Sequence, residues 1–119
     1  MTLQGAGDFL RRQGHVLVLA TVPDGTGIGF VSGVVMRHPD KAPEMFVYEL
    51  AVDEAWRRRG VAGTLLRALR DDALRRGCDG MWTGAGRDNA AALATYRSLG
   101  AAVDDGSVFV TWDDLAQRG

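Results

Sequence analysis

The amino-acid sequence predicts an α/β fold of the α+β kind, with a central mixed, mostly antiparallel sheet flanked by helices. In the first half of the chain, apolar runs are rich in β-branched and aromatic residues, which are typical of strands. In the second half, apolar residues recur at intervals of three and four, which is the period of an α-helix. The predicted order is therefore three strands, a helix, a strand, a helix and a last pair of short strands.

Three strands are predicted before the first helix. Turn-forming residues separate them: Pro23-Asp24-Gly25 follows the first strand, and the loop His38–Pro43, with two prolines, follows the second. Strands joined by connections this short pair antiparallel. The predicted strands are His15–Thr21, Gly29–Met36 and Glu44–Val52.

A helix and a short strand follow. Leucines with helical spacing predict a helix from about Gly60 to Arg76, and Gly77 is the expected stop because glycine commonly ends helices. The short strand Asp79–Thr83 should run parallel to the third strand, since a helix crosses between them.

The last predicted elements are a second helix and two short strands. Asp88 or Asn89 can cap the helix, which runs to about Leu99. Short strands are predicted around Val103 and over Ser107–Trp112, with a turn at residues 104–106 between them.

Length and composition indicate one globular domain spanning residues 1–119. Hydrophobic residues make up 46% and charged residues 24%, as in ordinary soluble proteins, which excludes a disordered chain. No apolar run approaches the roughly 18 residues of a membrane span, and Val16–Ala20 is too short for a secretory signal. The single cysteine, Cys78, predicts no internal disulfide and no thiolate metal site, so we expect a cytoplasmic protein.

The charge pattern argues against a nucleic-acid binder. Fourteen basic and 15 acidic residues give a net charge of −1, whereas such domains are clearly basic. Lys41 is the only lysine, and three of the arginines are consecutive at positions 57–59. A local positive spot in a neutral protein favours one anionic ligand group over a long polyanion.

The segment Arg57–Gly63 has the features of a phosphate-binding loop. It joins the strongest predicted strand to the first helix, whose N-terminal N–H groups carry a partial positive charge. Glycines at positions 60 and 63 allow a ligand to approach the backbone, and the adjacent arginines add charge. The segment matches neither the Walker pattern nor the dinucleotide pattern. The alternative is an ordinary helix start with a solvated basic turn.

A second group of candidate residues lies on the second helix. Asn89, Ala92 and Tyr96 are spaced by three and four residues and share roughly one face, and Gly100 ends the helix. The alternative is structural: Tyr96 would be a half-buried core aromatic and Asn89 a helix cap.

Together these residues resemble the GNAT superfamily of acetyl-coenzyme A-dependent N-acetyltransferases. The family signature, Arg/Gln-x-x-Gly-x-Gly/Ala after a central strand, is matched from Arg57 to Ala62, and its later Asn, Ala, Tyr and Gly are matched from Asn89 to Gly100. Within the superfamily, Val47–Val52 and the arginine loop are similar to segments of aminoglycoside 3-N-acetyltransferases. Glu49 stands where those enzymes tend to carry Asp.

The resemblance implies acetyl-CoA as cosubstrate, with its diphosphate over the amides of Arg58–Gly63 and its pantetheine arm paired with Leu50 and Val52. A backbone N–H near Leu50 or Ala51 would stabilise the oxyanion. Asn89 would either bond the pantetheine arm or cap its helix. The implied coenzyme-binding residues are Leu50, Ala51, Val52, Arg57, Arg58, Arg59, Gly60, Val61, Ala62, Gly63, Thr64, Asn89, Ala92 and Tyr96.

Two side chains are candidates for the chemistry of acetyl transfer. The Tyr96 phenol is protonated at neutral pH and can donate to the departing sulfur. Glu49 can accept the proton of the attacking amine, directly or through water. Its alternative is a solvent-facing strand position without a role.

The resemblance also bears on the ends of the chain and on its partners. GNAT proteins begin with a strand and one or two helices, so the N-terminal strand and helix are predicted to be shortened here, with Phe9 and Leu10 in a remnant helix. The chain would be naturally trimmed, completed by a second subunit, or a fragment. A strand edge at His15–Thr21 and a segment around Phe109 predict a homodimer.

The predicted acceptor is a small primary amine, with an amino sugar of the aminoglycoside kind first and a peptide or polyamine amine next. We expect no metal, because His15 and His38 lack ligands at metal spacing, and no nucleic-acid or membrane partner. Cys78 is predicted to be a buried thiol, and Trp56, Trp82 and Trp112 core or dimer aromatics. The alternative function is a catalytically degenerate acyl-CoA-binding or regulatory module.

Overall fold

The computed structural model describes residues 13–113. The chain divides into two compact units, residues 1–85 and 86–119, and each is described by itself. The predicted single domain over residues 1–119 remains a prediction. Phe9 and Leu10, expected in a remnant helix, lie outside the described residues.

The first unit contains a four-stranded sheet in the order β1-β2-β3-β4. The first three strands pair antiparallel and β4 pairs parallel to β3, as predicted. β2 begins two residues earlier than expected, because Thr21 pairs with Gly27. The strands are β1 His15–Thr21, β2 Gly27–Met36, β3 Glu44–Val52 and β4 Gly80–Trp82.

Helix α1, Val61–Arg75, packs on one face of this sheet. Its leucines at helical spacing lie on one side and are buried, as the periodicity predicts. The positive φ of 82° at Gly77 follows the helix end, a conformation that glycine adopts without a steric penalty. The buried core of α1 and the strands includes Leu65, Leu66, Leu69, Ala73, Val16, Val31, Val35, Met45 and Val47.

Gly33 allows α1 to approach β2 closely. A Cβ atom at this position would lie 2.7 Å from the Met45 sulfur and 3.2 Å from a Leu69 methyl carbon. Overpacking a core in this way costs about 1–3 kcal/mol. We expect Gly33→Ala to lower the free energy of unfolding by that amount in urea denaturation. Gly27→Ala is the matched control, because a Cβ there meets nothing within 4 Å; equal losses in both variants would contradict this account.

β3 contains a β-bulge at Tyr48. Ser32 pairs with Glu49 while Gly33 pairs with Val47, so Tyr48 is an additional residue without a partner in β2. The Glu49 N–H donates to the Ser32 hydroxyl at 3.1 Å. Because side chains alternate along a strand, the additional residue changes which face the following side chains point to.

β4 pairs with only the first part of β3. Its three residues are in register with Glu44–Phe46, and the Thr83 hydroxyl then donates to the Val47 carbonyl at 2.9 Å. Within the described residues, no strand lies beside β3 beyond this point. The last part of β3 therefore has one unpaired backbone edge.

The second unit contains helix α2, Ala90–Ser98. Asn89 is its N-cap, and Gly100, with a φ of 90°, follows its end. The prediction of strands around Val103 and over Ser107–Trp112 is wrong, since residues 101–113 contain no strand. Val108 is 80% exposed and Phe109 75% exposed. A β-prone sequence forms a strand only when a neighbouring strand takes its backbone hydrogen bonds.

Other predictions have mixed outcomes. Cys78 is a buried free thiol, as expected, and burial raises its pKa. Of the two alternatives for the tryptophans, a core position is wrong for Trp82, which is 44% exposed, and for Trp112, which is 64% exposed, while Trp56 is half-buried. Their place in a dimer contact stays a prediction. None of the helices within residues 13–113 is both long enough and apolar enough to cross a membrane.

Candidate active site

The connection between β3 and α1 begins with a short 3-10 turn over Glu54–Trp56. The Asp53 N–H donates to the Ile28 carbonyl at 2.8 Å, which holds the end of β3 against β2. The Arg57 Nε then donates back to the Val52 carbonyl at 3.1 Å. These bonds place the arginine loop directly beyond the end of β3.

Two residues of the arginine loop have a left-handed backbone conformation. Arg58 has a φ of 63° and Gly60 a φ of 80°. Among the described residues, Arg58 is the only non-glycine residue with a positive φ, a conformation that is uncommon for L-residues and clusters at functional sites. Gly60 is the N-cap of α1, and its carbonyl accepts from both the N–H and the hydroxyl of Thr64 at 3.1 Å.

The first turn of α1 presents free backbone donors. Gly60 has no side chain that could cap the N–H groups of Val61–Gly63, and these groups have no acceptor within the helix. The three arginines of the loop are exposed, and the Arg59 guanidinium lies 4.9 Å from the centre of the Trp56 ring. Free amides, a helix dipole and adjacent cations form an anion cradle.

The free edge of β3 presents backbone groups from two residues. The N–H groups of Glu49 and Asp53 both point toward β2, where they are bonded. Alternate residues of a strand point their backbone groups in opposite directions. The N–H and C=O of Leu50 and Val52 therefore point to the unpaired edge, while those of Ala51 point toward β2. This orientation favours the Leu50 N–H over the Ala51 N–H as the candidate oxyanion donor.

Glu49 is an exposed residue next to the bulge. Among residues 13–113 its carboxylate forms no ion pair and accepts no hydrogen bond. A strand acid that is exposed and unpaired is free to meet a cationic ligand at low desolvation cost.

The second unit holds the other predicted site residues on α2. The Asn89 Oδ1 accepts from the Ala92 N–H at 3.2 Å, so Asn89 caps the helix, which was one of its two predicted roles. Tyr96 is half-buried, and burial raises the pKa of its phenol above the usual value of 10. The phenol is therefore a proton donor throughout the neutral range.

The structure brings together the predicted residues of the first unit, since the unpaired edge at residues 50–52 leads straight into the cradle at residues 57–64. Sequence reasoning missed the bulge at Tyr48, the Ser32 hydroxyl beneath it and the stacking of Trp56 with Arg59. The Arg-Arg-Arg run after a tryptophan could have indicated that stacking. Nothing in the local sequence indicated the bulge.

His38 belongs to a group of interacting polar side chains at the start of β3. His38 Nε2 lies 2.9 Å from a Glu44 carboxylate oxygen, and the Lys41 ammonium lies 3.3 Å from the same atom. The hydrogen bond from Lys41 is the main cause of the lowered pKa of Glu44. Within residues 13–113, no three His, Cys, Asp or Glu side chains cluster closely enough to hold a metal ion.

The sequence model of the acetyltransferase (GNAT) family matches residues 3–101, which is most of the chain. The chain belongs to the GNAT family. The predicted fold class and family resemblance are therefore confirmed, and the anion cradle lies where the GNAT signature is matched.

Curated relatives of this GNAT chain are named as acetyltransferases. It is 38% identical over 83 residues to the L-2,4-diaminobutyric acid acetyltransferase of Streptomyces coelicolor, covering 67% of this chain and 48% of that protein. It is 39% identical over 57 residues to the ribosomal protein bS18-alanine N-acetyltransferase of Escherichia coli, covering 48% of this chain and 38% of that protein. The chain thus spans about half the length, or less, of these relatives.

Solved structures share the fold at low sequence identity. The aminoglycoside N-acetyltransferase AAC(6′)-Iy in complex with coenzyme A superposes with a TM-score of 0.80 at 23% identity, covering 92% of this chain and 84% of that chain. An aminoglycoside acetyltransferase from an uncultured soil metagenomic sample, in complex with trehalose, superposes with a TM-score of 0.84 at 20% identity, covering 94% and 74%. This GNAT chain therefore has the fold of those acetyltransferases.

Proposed function

We propose that this protein transfers the acetyl group of acetyl-CoA to a primary amine of a small cationic molecule. The observation that carries the proposal is the continuity between the unpaired edge of β3 and the anion cradle at the start of α1. The cradle suits the diphosphate of coenzyme A, and the edge suits the two amide groups of its pantetheine arm. No metal is required for this reaction.

In the proposed complex, the coenzyme lies along β3 like an added strand. Its amides pair with the outward-pointing groups of Leu50 and Val52, and its diphosphate accepts hydrogen bonds from the amides of Arg58–Gly63. Arg57 holds the Val52 carbonyl, so it also orients the end of the strand. This arrangement leaves the thioester near the bulge at Tyr48.

The proposed reaction is a direct transfer. The neutral amine attacks the thioester carbonyl carbon, and the developing oxyanion accepts a hydrogen bond from the Leu50 N–H. The carbon–sulfur bond then breaks, and the leaving sulfur takes a proton from Tyr96. Glu49 accepts the proton lost by the amine, directly or through water. The products are an N-acetyl amine and free coenzyme A.

The acceptor is proposed to be an amino sugar of the aminoglycoside kind, with a polyamine or peptide amine as the next candidates. Exposed acidic groups support a cationic acceptor: Glu49 lies next to the bulge, and Asp53 and Glu54 follow along the same connection. The named substrates of the curated relatives are amines as well. We further propose a cytoplasmic homodimer, in keeping with the predictions from the sequence.

The coenzyme site is tested by Gly60→Val. A Cβ there meets no protein atom within 4 Å, but the φ of 80° strains any L-residue by about 1–3 kcal/mol. The side chain would also occupy the ligand side of the cradle. We expect coenzyme A affinity, measured by calorimetry, to fall at least about tenfold, together with a lower Tm.

Gly25→Val is the control that separates the effect of backbone strain from the effect of a side chain that blocks the coenzyme. Gly25 has a φ of 93° and equally open surroundings, but it lies in the turn between β1 and β2. It should lower the Tm similarly and leave coenzyme A affinity unchanged. If Gly60→Val binds coenzyme A as tightly as Gly25→Val, the loop is not the site. If coenzyme A binds but no amine is acetylated, the chain is an acyl-CoA-binding module.

A further inference from the structure

Three aromatic side chains cluster where β3 and β4 part. The Phe46 ring centre lies 4.6 Å from that of Trp82, with the two rings tilted by 38°. The Tyr48 ring meets Phe46 edge-on at 6.2 Å. We call Phe46, Tyr48 and Trp82 the aromatic cluster.

The aromatic cluster lies on the face of the sheet opposite α1. Met45 and Val47 are buried in the core with the leucines of α1, and side chains alternate along a strand, so Phe46 points to the other face. Phe46 is half-buried, whereas Tyr48 is 59% exposed and Trp82 is 44% exposed. Tyr48 lies two residues after Phe46 and so points to the same face, and the bulge leaves it without a partner in β2.

A carboxylate shares the face of the aromatic cluster, because Glu49 pairs with Ser32 and Phe46 pairs with Val34, which lie two positions apart in β2. Glu49 follows Tyr48 directly and, within the described residues, has no cationic partner. An aromatic face attracts an ammonium group through its quadrupole, and a nearby carboxylate adds Coulomb attraction. Exposed aromatic rings beside an unpaired acid therefore have the chemistry of an organic-cation site.

We propose that the aromatic cluster and Glu49 form the acceptor subsite, and that it selects acceptors carrying a second ammonium group. This inference rests on the proposed function. Glu49 receives the reacting amine and its proton, while the Tyr48 and Trp82 rings hold the ammonium group that does not react. The preferred acceptors are thus diammonium or polyammonium compounds rather than monoamines.

The opposite charges of the two substrates support separate binding surfaces for the coenzyme and the acceptor. Coenzyme A is anionic, and its proposed cradle of arginines and free amides lies at the start of the helix that covers one face of the sheet. The aromatic cluster lies on the opposite face, beside an acid. Two substrates that meet at the unpaired edge of β3 can then approach from different sides without competing for one binding surface.

The test compares two acceptors with the same reacting amine, 1,4-diaminobutane and n-butylamine. We expect Tyr48→Leu and Trp82→Leu each to raise the KM for 1,4-diaminobutane by about tenfold, the effect of one cation–π contact. The KM for n-butylamine and for acetyl-CoA should stay unchanged, and kcat should change little, because the rings do not take part in the chemistry. Tyr48→Phe keeps the ring and should retain the low KM.

Trp112→Leu is the matched control, since it removes an exposed indole that lies outside the aromatic cluster. A second readout does not need turnover: in the presence of coenzyme A, 1,4-diaminobutane should shift the Trp82 indole N–H signal in NMR spectra of the unmodified protein but not of Tyr48→Leu.

The outcomes separate the subsite from the proposed function. Acetyl transfer with an unchanged diamine KM in both leucine variants overturns the subsite alone. No transfer to any amine, together with a Tyr48-dependent shift of the Trp82 signal, overturns the proposed function and supports the cation site. The absence of both transfer and shift overturns both proposals.

Discussion

Tyr96→Phe is expected to lower kcat about a hundredfold, which is the low end of the effect of losing a general acid. The phenol is half-buried, and burial raises its pKa, so the proton that it donates is present at every pH near neutrality. Without the hydroxyl, the sulfur of coenzyme A must leave as an unassisted thiolate. The KM for acetyl-CoA should change little, since the ring that remains fills the same volume.

The pH dependence of activity tests the raised pKa of Tyr96. Because burial raises the pKa of Tyr96, any loss of activity from its ionisation should have its midpoint at a higher pH than the titration of an exposed tyrosine. An alkaline limb that has its midpoint at or below the pKa of an exposed tyrosine, and that disappears in Tyr96→Phe, would contradict the raised pKa.

Thr95→Val is the control for the loss of a hydroxyl from α2. Thr95 precedes Tyr96, and its hydroxyl donates to the Ala91 carbonyl within the helix. We expect this variant to keep its activity. If Tyr96→Phe weakens acetyl-CoA binding as much as it slows turnover, Tyr96 positions the coenzyme and does not donate a proton.

Glu49→Gln is expected to lower kcat/KM by about a hundredfold, the size of effect that loss of a general base produces. Glutamine keeps the shape of the side chain but neither attracts the ammonium form of the acceptor nor accepts its proton. The loss should be largest at low pH, where most of the amine is protonated and a base matters most. Rates measured from acid to alkaline pH, with acetyl-CoA saturating, test the expectation.

Glu44→Gln is the matched control for this substitution. Glu44 is an acid of the same strand, but it lies at the other end and is paired with His38 and Lys41. Glu44→Gln should leave kcat/KM unchanged and weaken only the contacts of this side chain with His38 and Lys41. Full activity of Glu49→Gln across the pH range would mean that the base is another group or water.

Local patterns in the sequence determined most of the elements. The bounds of β1 and β3 were predicted without error, since apolar β-branched and aromatic runs favour strands and prolines and polar turns interrupt them. The α1 helix and its stop at Gly77 also follow from local signals, because side-chain spacing and a left-handed glycine act within a few residues. The same is true of the Asn89 cap.

The candidate site could be predicted only where its chemistry is local. The arginine loop lies within one continuous segment, so the type and spacing of its residues indicated an anion site and the GNAT signature. Glu49 could be named as an acid in a strand, but its exposure could not, because alternation along β3 is broken at Tyr48. Whether an additional residue is accommodated there depends on pairing with Ser32 and Gly33, which lie 15 or more positions away in sequence.

The tertiary structure decided how strands pair and what they leave unpaired. A strand's sequence does not determine which strand it pairs with. Only the folded sheet shows that β4 pairs with Glu44–Phe46 and no further. Leu50 and Val52 are therefore left at an unpaired edge. For the same reason Ser107–Trp112 is β-prone but forms no strand among the described residues. The aromatic cluster of Phe46, Tyr48 and Trp82 likewise joins residues that only sheet pairing brings together. The sequence alone determined the local elements and the loop that suits coenzyme A, because both depend on residues that are close along the chain. Backbone pairing across the sheet decided the surface that we assign to the acceptor.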